Sequence, residues 1–224
     1  MLNKIKSLLL VPVILIAACS GGTKAPDADT ARATAATVPS TKKTILFFGD
    51  SLSAGYGLDD PADAFPNQVQ LKVDSAKLPY KVVNAGLSGE TSAGGKGRID
   101  WLLKQPVDVF VLELGANDGL RGIPVKATTQ NLQDIIDKVK AKYPKAKLVL
   151  LGMQVPPNMG TDYVNGFKGI FPQLAAKNNM ALVPFLLQGV GGVRKLNQGD
   201  GIHPTAAGAK ILANNVWEVL QGVL

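Results

Sequence analysis

Ser51, Asp200 and His203 are the residues of this 224-residue chain whose types and settings suit nucleophilic catalysis. A serine hydroxyl is a poor nucleophile at neutral pH and needs a neighbouring base. His203 is the only histidine, so only one imidazole is available for that work. It stands in Asp200-Gly201-Ile202-His203-Pro204, with an acid three residues earlier, close enough for a tight turn to bring carboxylate to ring. Such an acid fixes the imidazole tautomer and stabilises the imidazolium. A lone histidine is more often structural than catalytic, and a lone serine at a helix start is more often an N-cap. Here each has a chemical partner in the sequence.

Acyl transfer also needs donors for the negative charge of its tetrahedral intermediate. Gly86, in Asn84-Ala85-Gly86-Leu87-Ser88-Gly89-Glu90, allows a backbone N–H to approach a substrate. Asn117, in Gly115-Ala116-Asn117-Asp118, offers an amide. With the N–H of Ser51, three donors can converge as an oxyanion hole.

The elements that must position these groups are legible from residue 42 onward. Short β-rich runs occur at Thr44–Phe48, Lys81–Asn84, Val107–Leu114, Lys147–Met153 and Ala181–Pro184. Amphipathic stretches lie between them. Leu132, Ile135, Ile136 and Val139 fall at helical spacing, as do Phe167, Ile170, Phe171 and Leu174. Leu212, Val216, Val219 and Leu220 form a last stripe, after Pro204 at a first helical position. Alternating strands and helices predict an α/β fold: a three-layer α/β/α sandwich around a five-stranded, mostly parallel sheet of flavodoxin-like order. The order itself does not follow from spacing. Ligands of such sheets bind beyond the carboxyl ends of the strands, where Gly49-Asp50-Ser51-Leu52-Ser53 and the Gly86 and Asn117 segments lie.

These four segments, in this order, resemble the SGNH hydrolases, also called the GDSL family. The name records Ser, Gly, Asn and His, here Ser51, Gly86, Asn117 and His203, with Asp200 matching the acid. The resemblance spans about residues 44–222, and GDSLSAGYGL, ELGANDGLRG and DGIHP look like the bacterial thioesterase/arylesterase/lysophospholipase branch. It implies the SGNH hydrolase fold and a cofactor-free serine esterase that cleaves carboxylic esters, and thioesters also, through an acyl-enzyme. In that branch, the loop after Asn117 borders the acyl site. Leu120 and Ile123 there, with Pro157 and Met159 after the fourth strand, are the expected apolar walls for an acyl chain.

Other candidates are weaker. Ser88 misses the G-x-S-x-G elbow because Glu90 stands where glycine belongs. Gly94-Gly95-Lys96-Gly97 lacks the P-loop's first glycine and its Ser/Thr, and reads as a loop or helix start. Asp50 and Asp118 are expected to order the turns around Ser51 and Asn117, and Glu113 to be a buried, hydrogen-bonded strand residue. Trp101 and Trp217 fall in helical stretches and are expected to pack. With no His/Cys cluster, no metal site is expected. A nucleotide-binding module is disfavoured, since no G-x-G-x-x-G follows the first strand.

The first forty-one residues read differently. Residues 1–18 are expected to be a signal peptide: Lys4 and Lys6 precede an 11-residue apolar run, Leu8 to Ala18. As a helix that run is too short for a hydrocarbon core of about 30 Å. It ends Ile16-Ala17-Ala18-Cys19, which resembles a lipobox, so Cys19, the only cysteine, is the expected lipidation site. Plain secretion with cleavage after Ala18 is the alternative. Ser20 resembles the sorting pattern for outer-membrane lipoproteins. Residues 19–41, the lipidated cysteine and a linker rich in Ala, Thr, Gly and Pro, form a flexible tether spanning on the order of 25 Å. The hydrolase domain then occupies 42–224. The expected location is the bacterial cell envelope, on a membrane facing the periplasm.

The net charge is +7, of which the first 41 residues supply +2 (Lys4, Lys6, Lys24 and Arg32 against Asp27 and Asp29) and the remainder +5. Its lysines are scattered, as in Lys138, Lys140, Lys142, Lys145 and Lys147, which suits a solvated helix face and not a nucleic-acid site. The expected partners are an acyl ester or lysophospholipid substrate and the membrane. A non-catalytic envelope lipoprotein binding a lipid or glycan in the same crevice is the competing reading. It would be marked by loss of Ser51, Asn117 or His203, and all three are present.

Overall fold

Strand β1 (Lys43–Gly49, KTILFFG) is buried from Ile45 onward because both of its faces are covered. The computed structural model describes residues 42–224; the signal peptide, Cys19 and the linker of the sequence reading lie outside them. After β1 come α1 (Ser51–Ala54), α2 (Phe65–Ser75), β2 (Tyr80–Asn84), α3 (Ser92–Leu102), β3 (Val109–Glu113), α4 (Ala116–Leu120) and α5 (Val125–Lys142). The chain closes with β4 (Lys147–Leu151), α6 (Thr161–Asn178), β5 (Ala181–Val183) and α7 (Ala206–Leu220).

The sheet order is β2-β1-β3-β4-β5, and each neighbouring pair is parallel. This is the expected flavodoxin-like order. Helices α2 and α7 pack together on one face, and α3, α5 and α6 pack in sequence on the other. The order fixes the site. Strand β1 lies between β2 and β3, with Phe47 opposite Asn84 and Gly49 opposite Glu113. The turns carrying Gly86, Ser51 and Asn117 therefore emerge side by side at the carboxyl edge, where the strand order reverses.

Leu132, Ile135, Ile136 and Val139 on α5 are fully buried, and each side chain contributes roughly 2 kcal/mol on removal from water. The α6 stripe is buried in the same way. Three expectations need correction. Val219 is only half-buried, and the inward face of α7 is carried by Ala209, Leu212, Ala213, Val216 and Leu220. Pro204 is not at the first helical position: Thr205 caps α7 by accepting from Gly208 N–H, and Pro204 bridges Asn197 instead. Trp101 is exposed, because α3 turns Ser92, Gly95 and Ile99 inward and position 101 falls on the solvent side. Trp217 does pack against the core. Among the described residues no helix is long and apolar enough to cross a membrane.

Candidate active site

Ser51 is the first residue of α1, so its backbone N–H has no acceptor within that helix. The cap is Asp50, whose carboxylate accepts from Leu52 N–H at 3.0 Å. The turn can be this tight because Gly49 lacks a side chain. A Cβ there would lie 2.3 Å from Glu113 Oε2 and 2.8 Å from the Glu113 carbonyl oxygen.

His203 reaches Ser51 from 152 residues away: its Nε2 is 2.9 Å from Ser51 Oγ. Its Nδ1 is 2.6 Å from Asp200 Oδ2. The other carboxylate oxygen, Oδ1, accepts from the N–H groups of Ile202 and His203, at 2.9 and 3.0 Å. The His203 contact, and then these two backbone bonds, hold the Asp200 carboxyl down at about 2. Asp200 therefore stays ionised across the working range and keeps Nδ1 protonated, leaving Nε2 to accept from serine. Tyr56 covers one side of the imidazole, with ring centroids 4.7 Å apart.

Gly86 packs against α1 so closely that a Cβ would sit 2.2 Å from the Ala54 nitrogen and 2.7 Å from the Ser53 carbonyl carbon. Its N–H donates to Asn84 Oδ1 at 3.0 Å, while Asn84 Nδ2 donates to the Ser53 carbonyl at 2.7 Å. Asn117 Nδ2 donates to Asp50 Oδ2 and to the Glu90 carbonyl, both at 3.1 Å. The Gly86 N–H and the Asn117 amide thus already have acceptors within the protein. Sequence reasoning missed the roles of Asn84 and Glu90. Buried Glu90 is held by Arg98, whose Nε donates to it at 2.8 Å. Arg98 also donates to the Ala85 carbonyl at 2.8 Å and lies over the Phe48 ring. Glu90 and Arg98 are eight residues apart, and that separation gave no helical or strand signal.

Two buried acids lie beside the Ser51 turn. Glu113 Oε2 accepts from Ser53 Oγ at 2.7 Å and from the N–H groups of Asp50 and Ser53. Burial, and then the Asp50 charge, push its carboxyl well above the usual range. Burial also raises Asp50, to about 6, against opposing hydrogen bonds from Leu52 and Asn117. Asp118, expected to order the turn at Asn117, instead ties α4 to α3 and α5. It accepts from Ser92 N–H at 2.8 Å, from Ser92 Oγ, and from Thr128 Oγ1 at 3.3 Å.

The four expected acyl-wall residues are less gathered. Leu120 and Pro157 are exposed, Ile123 and Met159 half-buried. None of them lines the small void of about 10 Å³ beside Ser51, whose walls include Leu52, Gly55, Leu58, Pro204 and Leu212. Ser88 is exposed. Gly94 to Gly97 lie inside α3. Among the described residues no group of three His, Cys, Asp or Glu side chains is placed to hold a metal ion.

Residues 47–211 match the model of the GDSL-like Lipase/Acylhydrolase family. The chain belongs to that family. It is accordingly a carboxylic ester hydrolase. It is 43% identical over 183 residues to the esterase TesA of Pseudomonas aeruginosa, covering 81% of this chain and 90% of that one. It is 40% identical over 179 residues to the thioesterase 1/protease 1/lysophospholipase L1 of Escherichia coli K12, covering 80% and 83%. A crystal structure of TesA superposes with a TM-score of 0.77 at 43% identity, covering 81% of this chain and all of the other. In this GDSL hydrolase Gly86, Ser51 and Asn117 lie just past the ends of β2, β1 and β3, and Asp200 and His203 on the loop before α7.

Proposed function

We propose that this GDSL hydrolase cleaves acyl esters through a covalent acyl-enzyme on Ser51, with His203 as base and Asp200 as the acid that orients it. The observation that carries this reading is the unbroken line from Ser51 Oγ to His203 Nε2 at 2.9 Å and from His203 Nδ1 to Asp200 at 2.6 Å. Ser51 Oγ attacks the acyl carbon while its proton passes to Nε2. The N–H groups of Ser51 and Gly86 and the Asn117 amide receive the oxyanion. The tetrahedral intermediate collapses, the leaving alcohol or thiol takes the proton from His203, and water repeats the steps in reverse to free the acid.

The proposed substrates are acyl esters and lysophospholipids. This reading is supported by the relatives above, which are named as an esterase and as a thioesterase and lysophospholipase. Export and a lipid on Cys19, as read from residues 1–19, would place the enzyme on a membrane facing the periplasm. Coenzyme A thioesters, being cytosolic, are then poor physiological candidates, although the same chemistry cleaves thioesters. Leu120, Ile123, Pro157 and Met159 are the proposed acyl contacts. The test is a panel of acyl esters, lysophospholipids and acetylated sugars assayed beside Ser51→Ala. Turnover of esters or lysophospholipids that vanishes in the variant supports the reading, and turnover that survives Ser51→Ala overturns it.

A further inference from the structure

We infer that Gln198 is a positioning residue that sets the distance between Ser51 and His203, an inference that rests on the triad proposed above. Asp200 and His203 share one loop, and that loop closes on itself. Asn197 and Pro204 form an antiparallel bridge. Gln198 N–H donates to the His203 carbonyl at 2.7 Å, Gly201 N–H to the Gln198 carbonyl at 3.0 Å, and Thr205 N–H to the Leu196 carbonyl at 2.9 Å. These bonds fix Asp200 relative to His203, but none of them reaches the nucleophile.

The Gln198 side chain makes that link. Its Nε2 donates to the Tyr56 carbonyl at 2.7 Å and to the Pro204 carbonyl at 3.0 Å. Tyr56 is in turn fastened to the nucleophile, since its N–H donates to the Ser51 carbonyl at 3.0 Å. Three hydrogen bonds thus run from the Ser51 carbonyl through Tyr56 and Gln198 to the His203 carbonyl. Among the described residues, the only other hydrogen bond joining 51–58 to 197–205 is the catalytic contact itself. The receiving turn is shaped for this amide. At Gly57, φ is +73° and a Cβ would lie 2.1 Å from Gln198 Oε1, so a larger residue would push the amide out. The Tyr56 ring, carried by the same turn, rests against the imidazole.

Proton transfer requires Oγ and Nε2 within hydrogen-bond reach, and a misplacement of about 1 Å costs on the order of 100-fold. Two variants test the assignment. Gln198→Met keeps the length of the side chain and removes the donor, and Gln198→Asn keeps the amide but falls about one bond short. Both leave the backbone bonds of the loop in place. The readouts are kcat per active site titrated with a fluorophosphonate, KM on a short soluble ester, the rate of Ser51 labelling, and the melting temperature.

In both variants kcat per titrated site should fall roughly 10- to 100-fold, with the labelling rate falling in parallel. KM should stay within about threefold, since Gln198 touches neither the oxyanion donors nor the proposed acyl walls. The melting temperature should move by no more than a few degrees. A kcat per titrated site within twofold of wild type in Gln198→Met would overturn the inference. So would loss of titratable sites while the surviving sites keep full speed, because that pattern marks a role in folding alone. If wild-type Ser51 is labelled but no ester is turned over, the proposed function falls, and the labelling rates of the variants still decide the role of Gln198.

Discussion

Asp50→Asn removes a buried titrating group next to Ser51, and its effect on stability has a definite sign. Asp50 is fully buried, and burial lifts its carboxyl to about 6, compared with 3.8 for an exposed aspartate. The folded protein therefore holds this proton more tightly than the unfolded chain does. The stability it contributes is fully present below pH 3.8 and is lost as pH rises through about 6. At 1.36 kcal/mol per pH unit, the difference is about 3 kcal/mol between pH 3.5 and pH 8. Asparagine has no such proton. The unfolding free energy of wild type, measured against that of Asp50→Asn, should thus gain about 3 kcal/mol on acidification over this range. Asp200 is common to both proteins and largely cancels, whereas Glu113, raised in part by the Asp50 charge, is released from that charge in the variant, so the difference reads the coupled Asp50–Glu113 pair. Asp200, held at about 2, acts in the opposite sense, because its contribution is lost only as pH falls toward 2. Urea unfolding of both proteins at intervals from pH 3.5 to 8 reads the difference directly. A flat difference curve would refute the claim that burial, and not the Leu52 and Asn117 hydrogen bonds, dominates the Asp50 environment. The same variant loses the carboxylate that orients the Asn117 amide, so kcat should also fall, by roughly tenfold, with little change in KM.

The remaining expectations concern the oxyanion donors and the anchor. Asn117→Ala should lower kcat by roughly 10²–10³ with a smaller effect on KM, and steady-state kinetics showing an unchanged kcat would remove Asn117 from the mechanism. Gly86→Ala forces a methyl group against the Ala54 nitrogen at 2.2 Å. It should destabilise the fold by about 1–3 kcal/mol and lower kcat/KM on the order of 100-fold, as checked by urea unfolding and esterase assay. Cys19→Ala should abolish palmitate incorporation and membrane fractionation. It should leave turnover of a soluble ester intact and reduce turnover of membrane-borne lysophospholipid.

The apolar periodicities of α5 and α6 made those helices legible, since a stripe at i, i+3, i+4 and i+7 has one efficient way to be buried. The strands were legible as apolar runs, but their order was not, because spacing says nothing about which strands pair. That order is what sets Gly86, Ser51 and Asn117 in a row. Asp200 and His203 could be paired from sequence because a three-residue turn makes them meet. Glu113 was expected to be buried and hydrogen-bonded, but its partners, and the bond from Asn84 to Ser53, could not be read, since those contacts cross between strand ends that become neighbours only in the folded sheet. Pro204 misled because a proline before an apolar stripe suits the start of a helix, yet Thr205 offers a capping hydroxyl one residue later.

The central claim is that Ser51 is the nucleophile, and site mapping of a fluorophosphonate adduct by mass spectrometry tests it most directly. The account requires one adduct on Ser51, none on exposed Ser88, and none anywhere on a folded Ser51→Ala protein. An adduct on Ser88, or a Ser51→Ala protein that is still labelled and still hydrolyses esters, would contradict it.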